Sequence, residues 1–349
     1  MRRPGPYLFR RRQQGVAIIT ALLLTMLSVT IVASLFWQQQ VQVRSMENQR
    51  LHLQTKWILR GALDWARLVL RQDGIDNRSY TSLSAIWNTP LAETRLDQYI
   101  ERERVAGEVF DATLSGQIAD ATARYNLLNL ADGRTIIPGQ VRVYKRLLQN
   151  LQIDPALAQR TALAVASAGL PPAPQIPGNE QKGSNGEPPN PDSKAETDES
   201  GQPPVPVPVS SGTVPIALTQ LDDLLAIPGY TVEIVNKLRD FAIVLPERTK
   251  VNVNTAPAEV LAAIVDGYSL SEANALVARR KQAYYRQLSD FTGQLYDKVP
   301  VKNTFDVKSE FFLVKSRIRL DRAALDAEAL VQRRLDDRVT TTTLWVRQN

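Results

Sequence analysis

Few side chains in this 349-residue chain can do acid, base or nucleophilic chemistry. The chain contains no cysteine and a single histidine, His52. Without cysteine there is no thiolate nucleophile and no zinc-thiolate site. His52 lies in a segment of helical spacing outside the expected globular head, so neither a Ser-His-Asp arrangement nor a histidine-based metal site is predicted there. Carboxylates and lysines remain, but no motif places a pair in a pocket. We predict no enzyme, and an envelope hydrolase that depends on one or two carboxylates is a weaker alternative.

Acidic residues near the C-terminus are the remaining candidates for metal ligands. Carboxylate oxygens suit Ca²⁺, and acids occur at Asp290, Asp297, Asp306, Glu310 and Asp321. Their spacings match no calcium-binding loop, so we expect a solvated surface at each. The sequence assigns no metal ligand and no certain cofactor.

The peptide bond between Gly15 and Val16 is a candidate for cleavage by another enzyme. Arginine-rich residues precede it, and an uncharged run of 22 residues, 16–37, follows directly. In a secretory signal peptide the apolar run comes before the cleavage site and is lost. This leader instead resembles that of type IV pilins and type II secretion pseudopilins. The resemblance implies cleavage by a prepilin peptidase and N-methylation of Val16. An ordinary uncleaved anchor is the alternative.

Residues 16–37 are long enough to cross a membrane. Their 22 residues at about 1.5 Å each span roughly 33 Å, and a bilayer core is about 30 Å thick. Five arginines precede the run and the first charge after it is Arg44. By the positive-inside rule, the N-terminus lies in the cytoplasm and the rest of the chain in the periplasm. We therefore predict a single-pass protein of the bacterial inner membrane with a periplasmic head domain.

The net charge of +6 comes almost entirely from the leader. Removing residues 1–15 leaves 37 basic and 36 acidic residues. A nearly neutral domain has little attraction for a phosphate backbone. Nucleic acid is therefore not an expected partner.

One long helix is predicted for residues 16–72. Its first half, 16–37, is apolar on all sides, as a helix in lipid must be. Its second half is amphipathic and must pack on a soluble domain, and Gly74 is a predicted helix stop. The apolar positions of that second half are Leu51, Ile58, Ala62, Trp65 and Val69, with Trp57 and Leu68 beside them.

Strand-like segments flank a helical block in the rest of the chain. Short strands are predicted in 73–124, helices within 125–296, and strands again in 297–349. Residues 171–212 hold 11 of the 21 prolines and no aromatic residue. Such a segment cannot bury enough apolar surface to order itself, so we predict a disordered insertion.

Two segments, 221–230 and 260–269, resemble halves of helix-hairpin-helix units. In nucleic-acid-binding versions, a Gly-x-Gly turn brings backbone N–H groups to a phosphate. Here Thr231 and Ser269 replace the second glycine. The basic run 279–281 is either a binding patch or a solvated helix end. A membrane-anchored periplasmic nucleic-acid-binding protein is therefore the alternative function.

The segment 250–261 between these units is predicted to set the angle between the two hairpins. Thr255 or Asn254 can cap a helix that begins near Pro257. Glu259 would then lie in the first turn, where a carboxylate interacts favourably with the helix dipole.

Five stretches, 87–91, 116–120, 124–130, 251–256 and 305–312, resemble in order the minor pseudopilin K family of type II secretion. The resemblance covers the chain except its proline-rich insertion. It implies an α+β fold, in which a pilin-like long N-terminal helix and antiparallel sheet are interrupted by a large inserted α-helical domain with helix-hairpin-helix-like units. It also makes Ca²⁺ possible in the head.

The fifth residue after the implied cleavage is Thr20. Pilins and most pseudopilins have glutamate there, and a neighbouring subunit's N-terminal amine neutralises it in the membrane. Lack of this acid resembles the K subunits. The resemblance implies a minor pseudopilin at the pseudopilus tip that initiates or caps assembly for export across the outer membrane. Its implied partners are other minor pseudopilins, the prepilin peptidase and the inner membrane.

Overall fold

A long helix, an antiparallel sheet and a group of shorter helices make up this protein. The computed structural model describes residues 16–96, 112–169, 204–207, 217–320 and 323–348. The α-helices among them are α1 (Val16–Asp76), α2 (Pro138–Asn150), α3 (Leu157–Ala168), α4 (Val232–Leu238), α5 (Ala258–Ile264), α6 (Leu270–Arg280) and α7 (Leu288–Thr292). The strands are β1 (Leu91–Arg95), β2 (Ala112–Asp120), β3 (Tyr125–Asn126), β4 (Ala131–Asp132), β5 (Thr135–Ile136), β6 (Val205–Pro206), β7 (Ala242–Ile243), β8 (Val251–Asn252), β9 (Phe305–Asp306), β10 (Phe311–Leu320), β11 (Ala323–Arg334) and β12 (Thr340–Gln348). The predicted α+β class is confirmed.

The main sheet joins chain segments from both sides of the helical block. Its order is β1-β2-β10-β11-β12, and every neighbouring pair is antiparallel. Strand β10 lies at the centre, pairing Phe312 with Asp120 of β2 and with Val331 of β11. The helical domain is therefore inserted between two strands that are neighbours in the sheet.

The first half of α1 is built to satisfy its own polar groups. It is exposed on all sides, and it is the one helix of the described residues long and apolar enough to cross a membrane. The hydroxyls of Thr25, Ser28 and Thr30 donate to backbone carbonyls three or four residues earlier, at 2.8 to 3.0 Å. Since lipid offers no hydrogen-bond partners, this internal pairing suits a membrane anchor.

The second half of α1 packs on the sheet through a face that overlaps the predicted one only in part. The buried positions are Thr55, Leu59, Leu63, Ala66 and Leu70. At 100° per residue, this face lies about 90° round the helix from the predicted one. The helical spacing was correct, and the predicted Ile58 and Val69 do pack against this core. The prediction was wrong in missing the centre of the buried face and in including Trp57 and Leu68, which are exposed.

Helix α1 continues to Asp76, four residues past the predicted end. Gly74, the predicted stop, lies inside the helix. A Cβ built there would meet Val339 Cγ1 at 2.9 Å and Leu335 Cδ2 at 3.0 Å. The glycine is therefore needed for close packing on the end of the sheet, and it does not end the helix.

The helical domain has a core of its own. The rings of Tyr125 and Tyr144 stack with their centroids 5.7 Å apart, and the Tyr144 and Tyr230 hydroxyls lie 2.9 Å apart. Val301 and Val307 pack into the same core. The chain therefore leaves the helical domain shortly before Phe311, later than the predicted boundary at residue 297.

Part of the predicted disordered insertion pairs with the helical domain. Within 171–212, the described residues 204–207 contain β6, which pairs antiparallel with β5. The backbone N–H of Val207 also donates to the carbonyl of Arg134 at 3.0 Å. The prediction of disorder throughout 171–212 was therefore wrong for these four residues, because a strand edge supplies backbone partners that composition does not reveal. All other residues of 171–212 lie outside the described residues.

Candidate functional site

The outer face of α1 carries large exposed apolar side chains, and the Arg60 guanidinium lies 5.9 Å from the Trp57 ring centroid. It consists of Leu53, Trp57, Leu68 and Ile75, and it lies roughly opposite the sheet-packed face. Trp57 is 68% exposed and Leu68 is 61% exposed. Trp57 and Leu68 lie about three helical turns apart, with the exposed Asp64 between them on the same face. Since large exposed apolar side chains mark interaction sites, the outer face is a candidate surface for another helix.

A glycine lies in the middle of the outer face. Gly61 follows Trp57 by one helical turn, and a Cβ built on it would meet nothing within 4 Å. Glycine in a helix interior is less favourable than alanine by about 0.5–1 kcal/mol. Nothing in the described chain requires that cost. A glycine between exposed apolar residues instead allows the backbone of a second helix to approach closely.

The predicted processing residues lie at the start of α1. Gly15 is outside the described residues, and Val16 is the first residue of the helix. Thr20 donates its hydroxyl proton to the carbonyl of Ala17 at 3.0 Å. The fifth position of the implied mature chain therefore carries an uncharged group with an acceptor in its own helix.

The predicted helix caps in the connector do not form. Helix α5 begins at Ala258 after Pro257, with no side-chain cap. Thr255 donates to Asp120 Oδ2 at 2.6 Å, and Asn254 exchanges two hydrogen bonds with the Tyr285 backbone at 2.8 and 2.9 Å. Both side chains are used for contacts between distant segments, which local capping rules cannot foresee.

A buried carboxylate joins the sheet to the connector. Asp120, at the end of β2, accepts from the Thr122 backbone N–H at 2.8 Å and hydroxyl at 2.7 Å. It also accepts from Asn252 Nδ2 at 3.1 Å, Thr255 Oγ1 at 2.6 Å and Ser309 Oγ at 2.5 Å. Asp120 is 5% exposed. Its donors come from both ends of the inserted domain, so this carboxylate fixes how that domain sits on the sheet.

A second buried group links this junction to α1. The Arg333 guanidinium donates to Asp73 Oδ2 at 2.5 Å and to the Leu70 carbonyl at 3.2 Å, both on α1. Its other terminal nitrogen donates to Thr81 Oγ1 at 2.8 Å and to the Ser309 carbonyl at 3.2 Å. Arg333 is fully buried. Ser309 belongs to both clusters, so a continuous polar network runs from α1 to the helical domain.

In the first helix-hairpin-helix-like turn, the side chain of Thr231 caps the start of α4. Gly229 has a φ of +102°, which suits glycine in a tight turn. The Thr231 hydroxyl accepts from the Ile234 backbone N–H at 3.4 Å at the start of α4. One donor that a phosphate would use is therefore already paired.

The second such turn is closed by a carboxylate. Gly267 has a φ of +64°, and the Ser269 backbone N–H at the start of α6 donates to Glu272 Oε2 at 2.8 Å. Lys298 Nζ lies 2.7 Å from the same carboxylate. Hydrogen bonds from Lys298 and Ser269 lower the pKa of Glu272 to about 2. A permanent negative charge thus occupies the helix end where a nucleic-acid phosphate would bind.

The predicted basic run 279–281 is not a uniform surface patch. Arg280 is 7% exposed and donates to the Val253 carbonyl at 2.8 Å. Burial lowers its pKa to about 10. Arg279 donates to Gln294 at 3.0 Å. The geometry of this region therefore gives no support to the nucleic-acid alternative.

The predicted acids do not gather into a metal site. Among the described residues, no group of three or more His, Cys, Asp or Glu side chains is placed to hold a metal ion. Asp290 accepts from the backbone N–H groups of Arg286 and Gln287, and burial raises the pKa of Glu310. Asp321 lies outside the described residues. The described acids by themselves therefore supply no three-carboxylate site for Ca²⁺.

Sequence reasoning missed the residues that carry the junction and the outer face. Asp120 and Arg333 depend on partners more than 100 residues away in the chain, which no local pattern reveals. Gly61 had a readable signal, because a glycine interrupts an otherwise good helical pattern.

Known proteins resemble this chain along most of its length. The family description "Type II secretion system (T2SS), protein K" matches residues 251–306, and a second description of the same protein matches residues 123–247. Together they span just over half of the chain. Type II secretion system protein K of Pectobacterium carotovorum subsp. carotovorum is 26% identical over 326 residues, which is 89% of this chain and 90% of that protein. The same protein of Pseudomonas aeruginosa is 28% identical over 296 residues, or 82% and 78%.

A solved structure has the same fold. It is a chain in the crystal structure of the GspK-GspI-GspJ complex from the type 2 secretion system of enterotoxigenic Escherichia coli. The match has a TM-score of 0.55 and 16% identity, and it covers 87% of this chain and 99% of that chain.

Proposed function

The chain belongs to the family of type II secretion system protein K, and we propose that it is the minor pseudopilin at the tip of the pseudopilus. There it starts or caps the assembly that exports proteins across the outer membrane. The family is a structural component of the secretion system, and a minor pseudopilin role follows from that membership. The tip position is our inference.

The outer face of α1 is the single observation that carries this function. A subunit that worked alone would have little reason to leave Trp57 and Leu68 exposed beside a helix-interior glycine. A subunit that packs against the long helices of its neighbours needs such a face. We propose that other minor pseudopilins of the same secretion system bind there. The GspK-GspI-GspJ complex is an assembly of this kind in a relative.

Thr20 supports the tip position. A carboxylate in the membrane requires a cationic partner, and in pilins the amine of a neighbouring subunit supplies it. A subunit with no neighbour above it has no such amine to neutralise. The uncharged Thr20, bonded to Ala17, avoids an unpaired carboxylate in lipid.

The inserted helical domain is the part of the chain that could block further growth of the pseudopilus at its tip. It is inserted between β2 and β10, and the Asp120 and Arg333 contacts hold it on the sheet. We propose that its bulk prevents further subunits from adding above it.

Membrane insertion and processing complete the proposal. The apolar half of α1 fits a single-pass anchor. We propose that the prepilin peptidase cleaves between Gly15 and Val16 and that Val16 is then N-methylated. The leader would lie in the cytoplasm, the span in the inner membrane, and the head in the periplasm.

Co-purification tests this function. The full-length chain is produced together with the other minor pseudopilins of its system and purified from membranes. Leu68→Glu places a charge on the outer face and is expected to release the partners and reduce secretion. Lys56→Glu, an exposed change about 100° round α1 from Trp57, is the control. Partner retention by Leu68→Glu at the level of Lys56→Glu would refute the role of this face.

A further inference from the structure

Two arginines lie beside the exposed apolar side chains of the outer face. Arg60 follows Trp57 by three residues, and Arg71 follows Leu68 by three residues. The two arginines are thus 11 residues apart, which is three helical turns with only about 20° to spare. They lie along one side of the outer face, roughly 16 Å apart along the axis of α1. We call Arg60 and Arg71 the flanking arginines.

The flanking arginines have no acidic partner among the described residues. Both are exposed, and neither forms an ion pair there. The Arg60 guanidinium lies 5.9 Å from the Trp57 ring centroid, which holds it against the outer face. Asp64 lies on the same face but is paired with Arg67, with Oδ1 and Nη1 3.0 Å apart. The outer face therefore carries two positive charges that no described carboxylate pairs with.

Covering the outer face changes what these charges require. On an open surface, water solvates an arginine and the charge needs no partner. A helix that covers Trp57 and Leu68 also removes water from the guanidinium groups beside them. A charge that loses water is costly unless an opposite charge replaces it. The helix that binds here must therefore supply carboxylates as well as apolar side chains.

The spacing of the flanking arginines sets the spacing of these carboxylates, because helices that run side by side have the same rise per residue. We propose that the outer face binds a helix of another minor pseudopilin that presents two carboxylates about 11 residues apart beside its apolar side chains. One carboxylate pairs with Arg60 and the other with Arg71. This inference rests on the proposed function, and it adds the chemistry by which the partner is selected.

A second copy of this chain fits the outer face less well. Two copies anchored in one membrane would have parallel α1 helices, so each flanking arginine would face the same arginine of the other copy. Like charges opposed across an interface weaken binding. The charges that attract an acidic helix thus exclude a second copy.

Anionic lipid is also a poorer occupant. Arg60 lies 23 residues beyond Trp37, which is roughly 35 Å along a helix. The polar headgroup region is only about 5–8 Å thick on each side of the bilayer core. Both flanking arginines therefore lie beyond the reach of a lipid phosphate.

Zero-length cross-linking locates the carboxylates. The full-length chain with Arg60→Lys and Arg71→Lys is produced with the other minor pseudopilins, and the purified complex is treated with a carbodiimide, which joins an amine to a carboxylate in direct contact. Mass spectrometry then identifies the linked residues. We expect both positions to link to acidic residues on the long helix of one partner. Links only to a second copy of this chain, or no link to a partner within an intact complex, would overturn the inference.

Binding at different salt concentrations tests the charges themselves. Arg60→Gln with Arg71→Gln keeps two long side chains and removes both charges. The partner's dissociation constant at low salt should therefore rise about threefold to thirtyfold, and it should depend less on salt. Lys145→Gln with Lys237→Gln removes two exposed charges from α2 and α4 and is the control. Equal binding and equal salt dependence of the two double variants would overturn the inference.

Failure of this inference differs from failure of the proposed function. If Leu68→Glu releases the partners while the flanking-arginine variants bind normally at every salt concentration, the outer face stands and the role of the arginines is refuted. If neither change alters partner binding, both ideas are wrong. The unfolding midpoints of all variants check that the fold persists.

Discussion

Gly61 should affect folding and assembly in opposite directions. Because a Cβ at this position meets nothing within 4 Å, Gly61→Ala should stabilise the isolated chain by about 0.5–1 kcal/mol. In the assembly, the same methyl group would stand between two closely packed helices. Gly61→Ala should therefore fold better and bind its partners less well.

Gly61→Leu gives the larger effect on assembly. Trp57 and Leu68 are 68% and 61% exposed in the isolated chain. Full burial of such a side chain contributes about 1.5–3 kcal/mol, so covering the exposed parts of both contributes roughly 2–4 kcal/mol. A leucine that keeps the partner helix away should forfeit most of this, which corresponds to binding about 30-fold to 1000-fold weaker.

Two assays on the full-length chain separate these effects. Chemical denaturation in detergent measures the free energy of unfolding, and titration with purified partner pseudopilins measures binding. Lys56→Leu adds the same side chain about 140° round the helix from Gly61 and is the control. The reasoning is refuted if Gly61→Leu binds its partners as well as Lys56→Leu does.

Further predictions concern the junction, the second turn and the leader. Asp120→Asn leaves buried hydroxyl donors facing an amide, so it should reduce the free energy of unfolding by about 2–4 kcal/mol. Urea denaturation measures this change, and Asp154→Asn on the surface is the control. Glu272 has its pKa lowered to about 2, so its contribution to stability is present above its ordinary pKa and is lost as pH falls toward 2. Glu272→Gln should accordingly lower the unfolding midpoint at pH 7 and have no effect near pH 2; an equal effect at both would contradict this. Gly15→Leu should block processing because the peptidase must fit the backbone beside the cut, and normal mature protein on an immunoblot would count against it.

The hydrophobic pattern of the sequence was sufficient to predict the helices and strands that are set by interactions between nearby residues. The apolar run 16–37 and the alternation of 311–320 predict a membrane-length helix and a strand, and the structure has α1 and β10 there. The order of strands, helical block and strands likewise follows from changes in hydrophobic period. These features need no knowledge of distant contacts.

Features that depend on tertiary contacts could not be predicted in this way. Thr255 has the right type and position for a helix cap, but its hydroxyl bonds to Asp120, 135 residues away. Gly74 has the composition of a helix stop, but it serves the packing of Val339. In each case a distant partner outweighs the local preference.

The packed face of α1 was predicted only in part. Hydrophobic spacing identifies an apolar face but does not say what covers it. The residues predicted to pack on the soluble head include Trp57 and Leu68, which the head leaves exposed. That mismatch is the observation behind the proposal that other subunits bind the outer face.

The intact mass and N-terminal sequence of the protein from membranes test the central claim, that the chain is a processed pseudopilin. Cells with and without an active prepilin peptidase are compared. We predict a chain that begins at N-methylated Val16 only where the peptidase is active. A chain that begins at Met1 in both samples would contradict the account.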